Sequence, residues 1–392
     1  MNQGAGMSAA QEAPIGNGRL NPRDVSPGSP ALKLLRSYWQ PVYASEKLLK
    51  GRAVLINVLG QQMTLFRGES GAPHLVGPYC AHRGAKMSSG RVVGETLECF
   101  YHGWTYNGAG QCVLQPAEPP GGEGRSKIEG WPVREYLGLV FAYLGDGEPP
   151  PMPYFDAYHS DGFTQVRESR RPWSYFDQLE NSVDEVHFNF VHRKSKFADV
   201  GLTAEIPELS CEETEYGILR MGRRGNYTRK SHILMPNCMY SMVFEHFKGW
   251  AEHLSWRVPI DRGSHVSFMI ECIHKEGADA EEFRALRAQQ REDLKKLEPA
   301  DSVIARILAG ESHIDDLEWR PDIVVIQDGA AMAGLDPARD PDLDQLRSSD
   351  RQVAMLRRIW RRELEAISEG RPTKQWRIPS ELRPTTGTPI DS

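Results

Sequence analysis

The sequence contains no apolar run of the roughly 18 or more residues needed to cross a bilayer, so no membrane span is expected. It also lacks an excess of positive charge. Lys and Arg number 47 against 53 Asp and Glu, for a net charge of −6, and no Lys/Arg-rich arm is present, which argues against a nucleic-acid partner. The N-terminus, Met1 to about Pro30, is rich in Gly, Ala, Asn, Ser and Pro. It has no apolar stretch of the secretory-signal kind, and residues 1–30 are expected to be a flexible tail. Cysteine is sparse, at six residues, and Cys112, Cys211, Cys238 and Cys272 are scattered, so they are expected to be buried thiols rather than disulfides. There is no Gly-x-Gly-x-x-Gly fingerprint and no evident flavin or nicotinamide domain. No internal repeat is visible.

What is present is ordinary globular material: 392 residues, 40% apolar and 26% charged, enough for two domains with a large core. Residues 52–67 alternate as a hairpin turning at Gly60, and short strand-like runs recur around 74–78, 96–100, 111–115 and 138–144 between Gly and Pro. This predicts an all-β domain over 31–150, ending in the proline-rich connector Gly145–Pro153. A second domain, 151–370, mixes elements. Val166–Tyr175 reads as a strand and 177–192 as a helix, with Leu179, Val183 and Val186 on one face. Further strands are expected at 216–223, 231–236, 239–247, 251–259 and 265–273, and a long helix at 279–309. The last helix has an apolar stripe of Val353, Leu356, Ile359, Trp360, Leu364 and Ile367, a capping box at Ser349 and Gln352, and Gly370 at its end. Residues 371–392 read as a C-terminal tail. Strands grouped before helices give the fold class α+β.

Cys80, His82, Cys99 and His102 carry the most information. They stand as Cys-Ala-His and Cys-Phe-Tyr-His with sixteen residues, 83–98, between the pairs. Mixed Cys/His pairs are how a [2Fe-2S] cluster is held with two Cys on one iron and two His on the other, which raises its potential above that of an all-Cys cluster. A structural zinc site is the alternative, but zinc fingers group Cys with Cys and His with His. Free thiols together with such a cluster suggest a reducing cytoplasm.

Asp184, His187 and His192 form a second pattern, Asp-x2-His-x4-His. Two His and one carboxylate with open coordination positions make the facial triad of non-haem Fe(II) oxygenases. On an ideal helix residues five apart lie roughly 140° from one another, so the helix must bend or unwind between the two His. A lone His would more simply be a hydrogen-bonded helix residue. The coincidence with a one-electron donor favours a metal.

With both motifs in view, the chain from about Ser37 to Glu369 resembles the oxygenase (alpha) component of Rieske non-haem iron ring-hydroxylating oxygenases. The Gln327–Asp328 pair and Leu346–Arg351 resemble the phthalate-dioxygenase-like branch. The resemblance implies a Rieske [2Fe-2S] domain followed by a helix-grip-like catalytic domain with an antiparallel sheet. It implies a mononuclear iron held by His187, His192 and Asp328, the rivals Asp315, Asp316 and Asp322 lying in a more polar stretch. Asp184 is then not a ligand but a bridge between His187 and His102 of a neighbouring subunit, within a homo-oligomer, a trimer or two trimers. Electrons come from a separate reductase using NADH or NADPH, with or without a ferredoxin. The substrates are O2 and an aromatic compound.

Other residues are open to two readings. Asn181 either gates the pocket or braces the helix. Arg229, Lys230 and Arg257 offer anchors for a substrate carboxylate, but solvated surface charges are the simpler expectation. Phe244, Phe247, Trp250 and Trp256 are expected in the core. Two other functions stay open: a Rieske electron carrier without oxygenase activity, and a zinc-stabilised binding protein.

Overall fold

The computed structural model describes residues 20–119, 121, 125–159, 162–245, 249–317, 320–336 and 339–386. Most of the expected N-terminal tail, the C-terminal end and Phe247 lie outside them. The N-terminal part holds helix α1 (Pro30–Arg36) and eleven short strands: β1 (Gln40–Ala44), β2 (Ala53–Val58), β3 (Gln61–Arg67), β4 (Pro73–Val76), β5 (Arg91–Val93), β6 (Thr96–Glu98), β7 (Thr105–Asn107), β8 (Cys112–Leu114), β9 (Gly130–Trp131), β10 (Val133–Tyr136) and β11 (Leu139–Ala142). α1 starts where the sequence supplies a cap: the Ser29 hydroxyl accepts from Leu32 N at 3.3 Å and Pro30 opens the first turn. The strands form three antiparallel sheets, ordered β2-β3-β4-β9, β5-β6-β7-β8 and β1-β11-β10.

The β2–β3 hairpin closes through Leu59 and Gly60, both at positive φ, as a two-residue turn of the hairpin type requires. Leu59 is fully buried, and its N–H donates to the Pro259 carbonyl at 2.6 Å, so this tip plugs into the second half of the chain.

That half holds β12 (Phe163–Arg171), α2 (Tyr175–Val183), α3 (His187–Val191), β13 (Glu208–Glu213), β14 (Gly217–Arg224), β15 (Tyr227–Leu234), β16 (Cys238–Glu245), β17 (Gly249–Asp261), β18 (Ser264–Ile273), α4 (Gly277–Lys296), α5 (Ala300–Leu308), α6 (Ile323–Ala333) and α7 (Arg351–Ser368). The strands make one antiparallel seven-stranded sheet, ordered β12-β18-β17-β16-β15-β14-β13. Side chains alternate between its faces. Trp256 points to the N-terminal half and meets Phe141 edge-on at 5.4 Å. Arg220, Ser231, Ser255 and Arg257 point to the other face, under α2 and α3, where Arg257 donates to the Ser182 hydroxyl at 3.0 Å. α7 lays its apolar stripe against α2, with Trp360 fully buried between Tyr175 and Phe176.

The α+β architecture is as expected, and several local expectations are corrected. Residues 20–29 are packed: Arg23 Nε donates to Asp177 at 2.9 Å and Val25 is buried. The long helix at 279–309 is two helices, since Pro299 has no N–H to continue the first. Tyr175 belongs to α2 rather than to a strand. β13 was not expected. No Ser349–Gln352 capping box forms, because the Gln352 amide is buried and donates to the Ser210 and Met221 carbonyls, stitching α7 to the sheet. The C-terminal tail packs as well: Trp376 is buried and Lys230 and Thr385 pair through their backbones. Cys112, Cys211, Cys238 and Cys272 are unpaired thiols. No described helix is long and apolar enough to cross a membrane.

Candidate functional site

Two loops present the Cys/His pairs. In the first, Cys80 N donates to the Ala85 carbonyl and Gly84 N to the Cys80 carbonyl; in the second, Cys99 N donates to Trp104 and Gly103 N to Cys99. Each loop turns at a glycine with positive φ, Gly84 and Gly103. A Cβ on Gly103 would also press within 2.8 Å of Pro116. Cys80 and Cys99 are buried side by side, and burial with the neighbouring Cys80 sulfur pushes the Cys99 thiol up. The rings of His82 and His102 lie 4.5 Å apart, with His82 stacked on Trp104. The buried Tyr106 hydroxyl sits 3.2 Å from the Cys80 sulfur and accepts from Ala81 N at 3.1 Å. Two sulfurs beneath and two imidazoles above are the donor set a [2Fe-2S] cluster takes.

The second centre lies under the seven-stranded sheet's helical cover. The expected break in the 177–192 helix comes earlier than between the two His. The helix stops at Val183, and α3 starts afresh at His187, capped by the Asp184 carboxylate, which accepts from Val186 N at 2.8 Å. His192 ends α3, so one short turn brings both rings together at 5.1 Å. Asp328, on α6, closes the group: its Oδ1 is 3.8 Å from His187 Nε2 and 3.2 Å from His192 Nε2. Asp315 pairs instead with Arg193 and Asp322 with Arg320, and neither they nor Asp316 join the group.

The hydrogen bonds suit a metal. His187 Nδ1 lies 2.9 Å from the Asp184 carbonyl, and His192 Nδ1 lies 2.9 Å from Gln327 Oε1. Both acceptors require a proton on Nδ1, which turns both Nε2 lone pairs toward the common point. Asp328 Oδ1 is buried there without a hydrogen-bond donor of good geometry. Burial alone would raise the Asp328 carboxyl, but His192, His187 and the Asn181 side chain hold it below its usual range. Burial lowers His187, whereas Asp328 and Gln327 outweigh burial and raise His192. Asn181 thus braces Asp328.

Arg229 and Arg257 are buried, not solvated. Arg229, Arg220 and Arg224 all reach the buried Glu185 at 2.8 Å, and burial of Glu185 is outweighed by the three guanidiniums, which hold its carboxyl at about 2. Arg257 has no carboxylate within 4 Å among the described residues and lies in the field of Asp328 and Arg171; burial lowers it to about 10. Trp256 is core, and Phe244 and Trp250 pack around Phe188. Glu185, Gly222 and Tyr106 were missed in the sequence, and Gln327 was read there as half of the Gln327–Asp328 pair without its role toward His192. Only Gln327, next to Asp328, gave a local signal.

A two-loop cluster cradle on one domain and a buried His/His/Asp site on the next define a two-centre redox enzyme. Residues 38–136 match the Rieske [2Fe-2S] domain model. The chain is 28% identical to the 5,5'-dehydrodivanillate O-demethylase oxygenase subunit of Sphingobium sp. over 89% of this chain and 80% of that one. It is 28% identical to the phenoxybenzoate dioxygenase subunit alpha of Ectopseudomonas oleovorans, over 79% and 86%. Its fold is similar to that of the QL mutant of Pseudomonas putida CBB5 NdmA with theobromine, with a TM-score of 0.65, 21% identity and coverage of 86% and 92%. It is likewise similar to dicamba monooxygenase, with a TM-score of 0.61, 19% identity and coverage of 86% and 100%. The chain thus carries a Rieske [2Fe-2S] domain and is similar over most of its length to oxygenase subunits that act on aromatic compounds.

Proposed function

We propose that this chain is the terminal oxygenase of a multicomponent system that hydroxylates, or oxidatively demethylates, a carboxylated aromatic compound. The observation that carries the reading is the convergence of His187 Nε2, His192 Nε2 and Asp328 Oδ1 on one buried point. These three would hold Fe(II) and leave positions open for O2 and substrate. Cys80 and Cys99 would hold one iron of a [2Fe-2S] cluster, and His82 and His102 the other. When bound, the two centres supply single electrons and O2 activation, which no side chain of the protein can supply.

The protein's own groups hold and exclude. Gln327 and the Asp184 carbonyl fix the two imidazole tautomers, Asn181 braces Asp328, and the Phe188 and Phe197 rings beside His192 keep water from its buried side. Arg257, buried with no carboxylate within 4 Å among the described residues and within the electrostatic reach of Asp328, supports a substrate carboxylate as its partner. The relatives named for dehydrodivanillate and phenoxybenzoate favour the same class.

An electron-donating reductase, with or without a ferredoxin, is the required partner. The exposed Phe100 and Tyr101 beside His102, and the exposed Phe190 on α3 together with the exposed Ile206, support head-to-tail packing of copies into a ring, a trimer or two stacked trimers. In that packing Asp184 would link the two centres, its main-chain carbonyl meeting His187 Nδ1 at 2.9 Å and its carboxylate reaching His102 of the next copy.

Metal and sulfide analysis of the anaerobically purified protein tests the reading. Three irons and two sulfides per chain, with product formed in the presence of a reductase and lost in His187→Ala, are expected. Two irons with two sulfides and no O2 consumption would leave the electron-carrier reading instead.

A further inference from the structure

We infer that Glu185 is a positioning residue for the mononuclear site, acting through a buried clamp of Arg220, Arg224 and Arg229; the inference rests on the oxygenase reading above. Glu185 lies in the three-residue break between α2 and α3, between Asp184 and His187. Its two carboxylate oxygens take three guanidiniums, Arg224 Nη1 on Oε1 and Arg220 and Arg229 Nη1 on Oε2, each at 2.8 Å. All four side chains are buried.

The arginines also hold the chain on both sides of the break. Arg220 Nη1 donates to the Val183 carbonyl, the last of α2, at 3.3 Å. Arg229 Nη2 donates to the Met242 carbonyl at 3.0 Å, and its guanidinium lies 5.2 Å from the centre of the Phe188 ring. That ring packs on His187 at 4.6 Å and on His192 at 5.3 Å. Asp184, between the clamped Val183 and the clamped Glu185, carries the carbonyl that His187 Nδ1 meets. Fixing Glu185 therefore fixes the carbonyl that orients His187 and the ring that both ligands lean on. A carboxylate whose only task was to pair the arginines would not need to sit in this break.

Gly222 is an independent sign. It lies on β14 directly beneath Glu185, and a Cβ there would come within 2.9 Å of Glu185 Cγ and 3.2 Å of Cδ. Gly222 has ordinary strand geometry, so no turn explains the glycine; the space it leaves is filled by Glu185. Gly222→Ala should displace Glu185 without altering any charge.

The test compares Glu185→Gln and Gly222→Ala with the unaltered full-length protein. Three quantities are read: cluster sulfide and visible spectrum, ferrous-iron affinity of the mononuclear site, and the electron paramagnetic resonance spectrum of its nitric oxide adduct. Expected in both variants are an unchanged cluster, a roughly 10–100-fold weaker ferrous-iron affinity, the size seen when groups supporting metal ligands are lost, and a changed symmetry of the nitric oxide adduct. If Gly222→Ala, which leaves every charge in place, keeps the unaltered iron affinity and adduct spectrum, the inference is wrong. It is equally wrong if cluster and mononuclear iron fall in parallel, since Glu185 then supports the fold at large. An unaltered protein that binds no third iron would overturn the oxygenase reading itself, and this inference with it.

Discussion

His192 is held at both ring nitrogens by consecutive residues of α6: Gln327 Oε1 lies 2.9 Å from Nδ1, and Asp328 Oδ1 lies 3.2 Å from Nε2. One helix turn thus supplies a carboxylate to the site and the acceptor that orients a second ligand. Gln327→Ala removes that acceptor and leaves a buried N–H unpaired. Ferrous-iron affinity is expected to fall roughly 10–100-fold with the cluster spectrum unchanged. Competitive titration against a chelator measures it, and an affinity within about twofold of the unaltered protein would sink the role given to Gln327.

Much of this site was legible in the sequence because its groups are close together in the chain. Cys80 to His102 and Asp184 to His192 are local patterns, and Asp328 followed an apolar run that had to enter the core. What was not legible depends on sheet register. Arg220, Arg224 and Arg229 meet Glu185 only because β14 and β15 pair with Arg220 opposite Ser231 and Gly222 opposite Arg229. Arg257 looked like a surface charge because nothing nearby in the sequence reveals Ser182 above it. The break before α3 was misplaced because Asp184 is both helix end and cap, a role that periodicity does not report.

Tyr106 places its hydroxyl 3.2 Å from the Cys80 sulfur inside the cluster domain. A hydrogen bond to that sulfur favours the more negative, reduced cluster. With a net worth of about 1 kcal/mol, its loss in Tyr106→Phe corresponds to a midpoint potential lower by roughly 40 mV for a one-electron couple. Redox titration followed by visible absorbance reads the shift directly. An unchanged or raised potential would mean that the hydroxyl serves Ala81 N alone.

Trp360 joins the last helix to the helix that leads into the site. Its ring is fully buried, 5.3 Å from Phe176 and 6.1 Å from Tyr175. Trp360→Ala should cost about 3–5 kcal/mol of stability, since a large ring leaves a cavity that the flanking helices fill only in part. A denaturant midpoint that barely moved would show that α7 can detach from α2 without consequence. That would also remove the reason for its apolar stripe.

Acid should loosen the protein through its buried histidines. Burial lowers His232 and His253 to about 4 and His265 to about 3, from an ordinary 6.5. Between about pH 6.5 and 4 the unfolded chain binds protons that these imidazoles refuse in the fold. Stability is therefore complete above the unfolded value and falls as pH drops. Each such group contributes about 1.4 kcal/mol per pH unit in that window, so the three together make the slope steep. Glu245, held at about 2 as Lys196 and Arg287 outweigh its burial, adds loss in the same direction below about 4.5. Urea unfolding at pH 7, 6 and 5 checks the slope, and His265→Gln should flatten it by about a third. A stability that stayed level from pH 7 to 5 would mean that these histidines take up protons inside the fold, against the burial their positions impose.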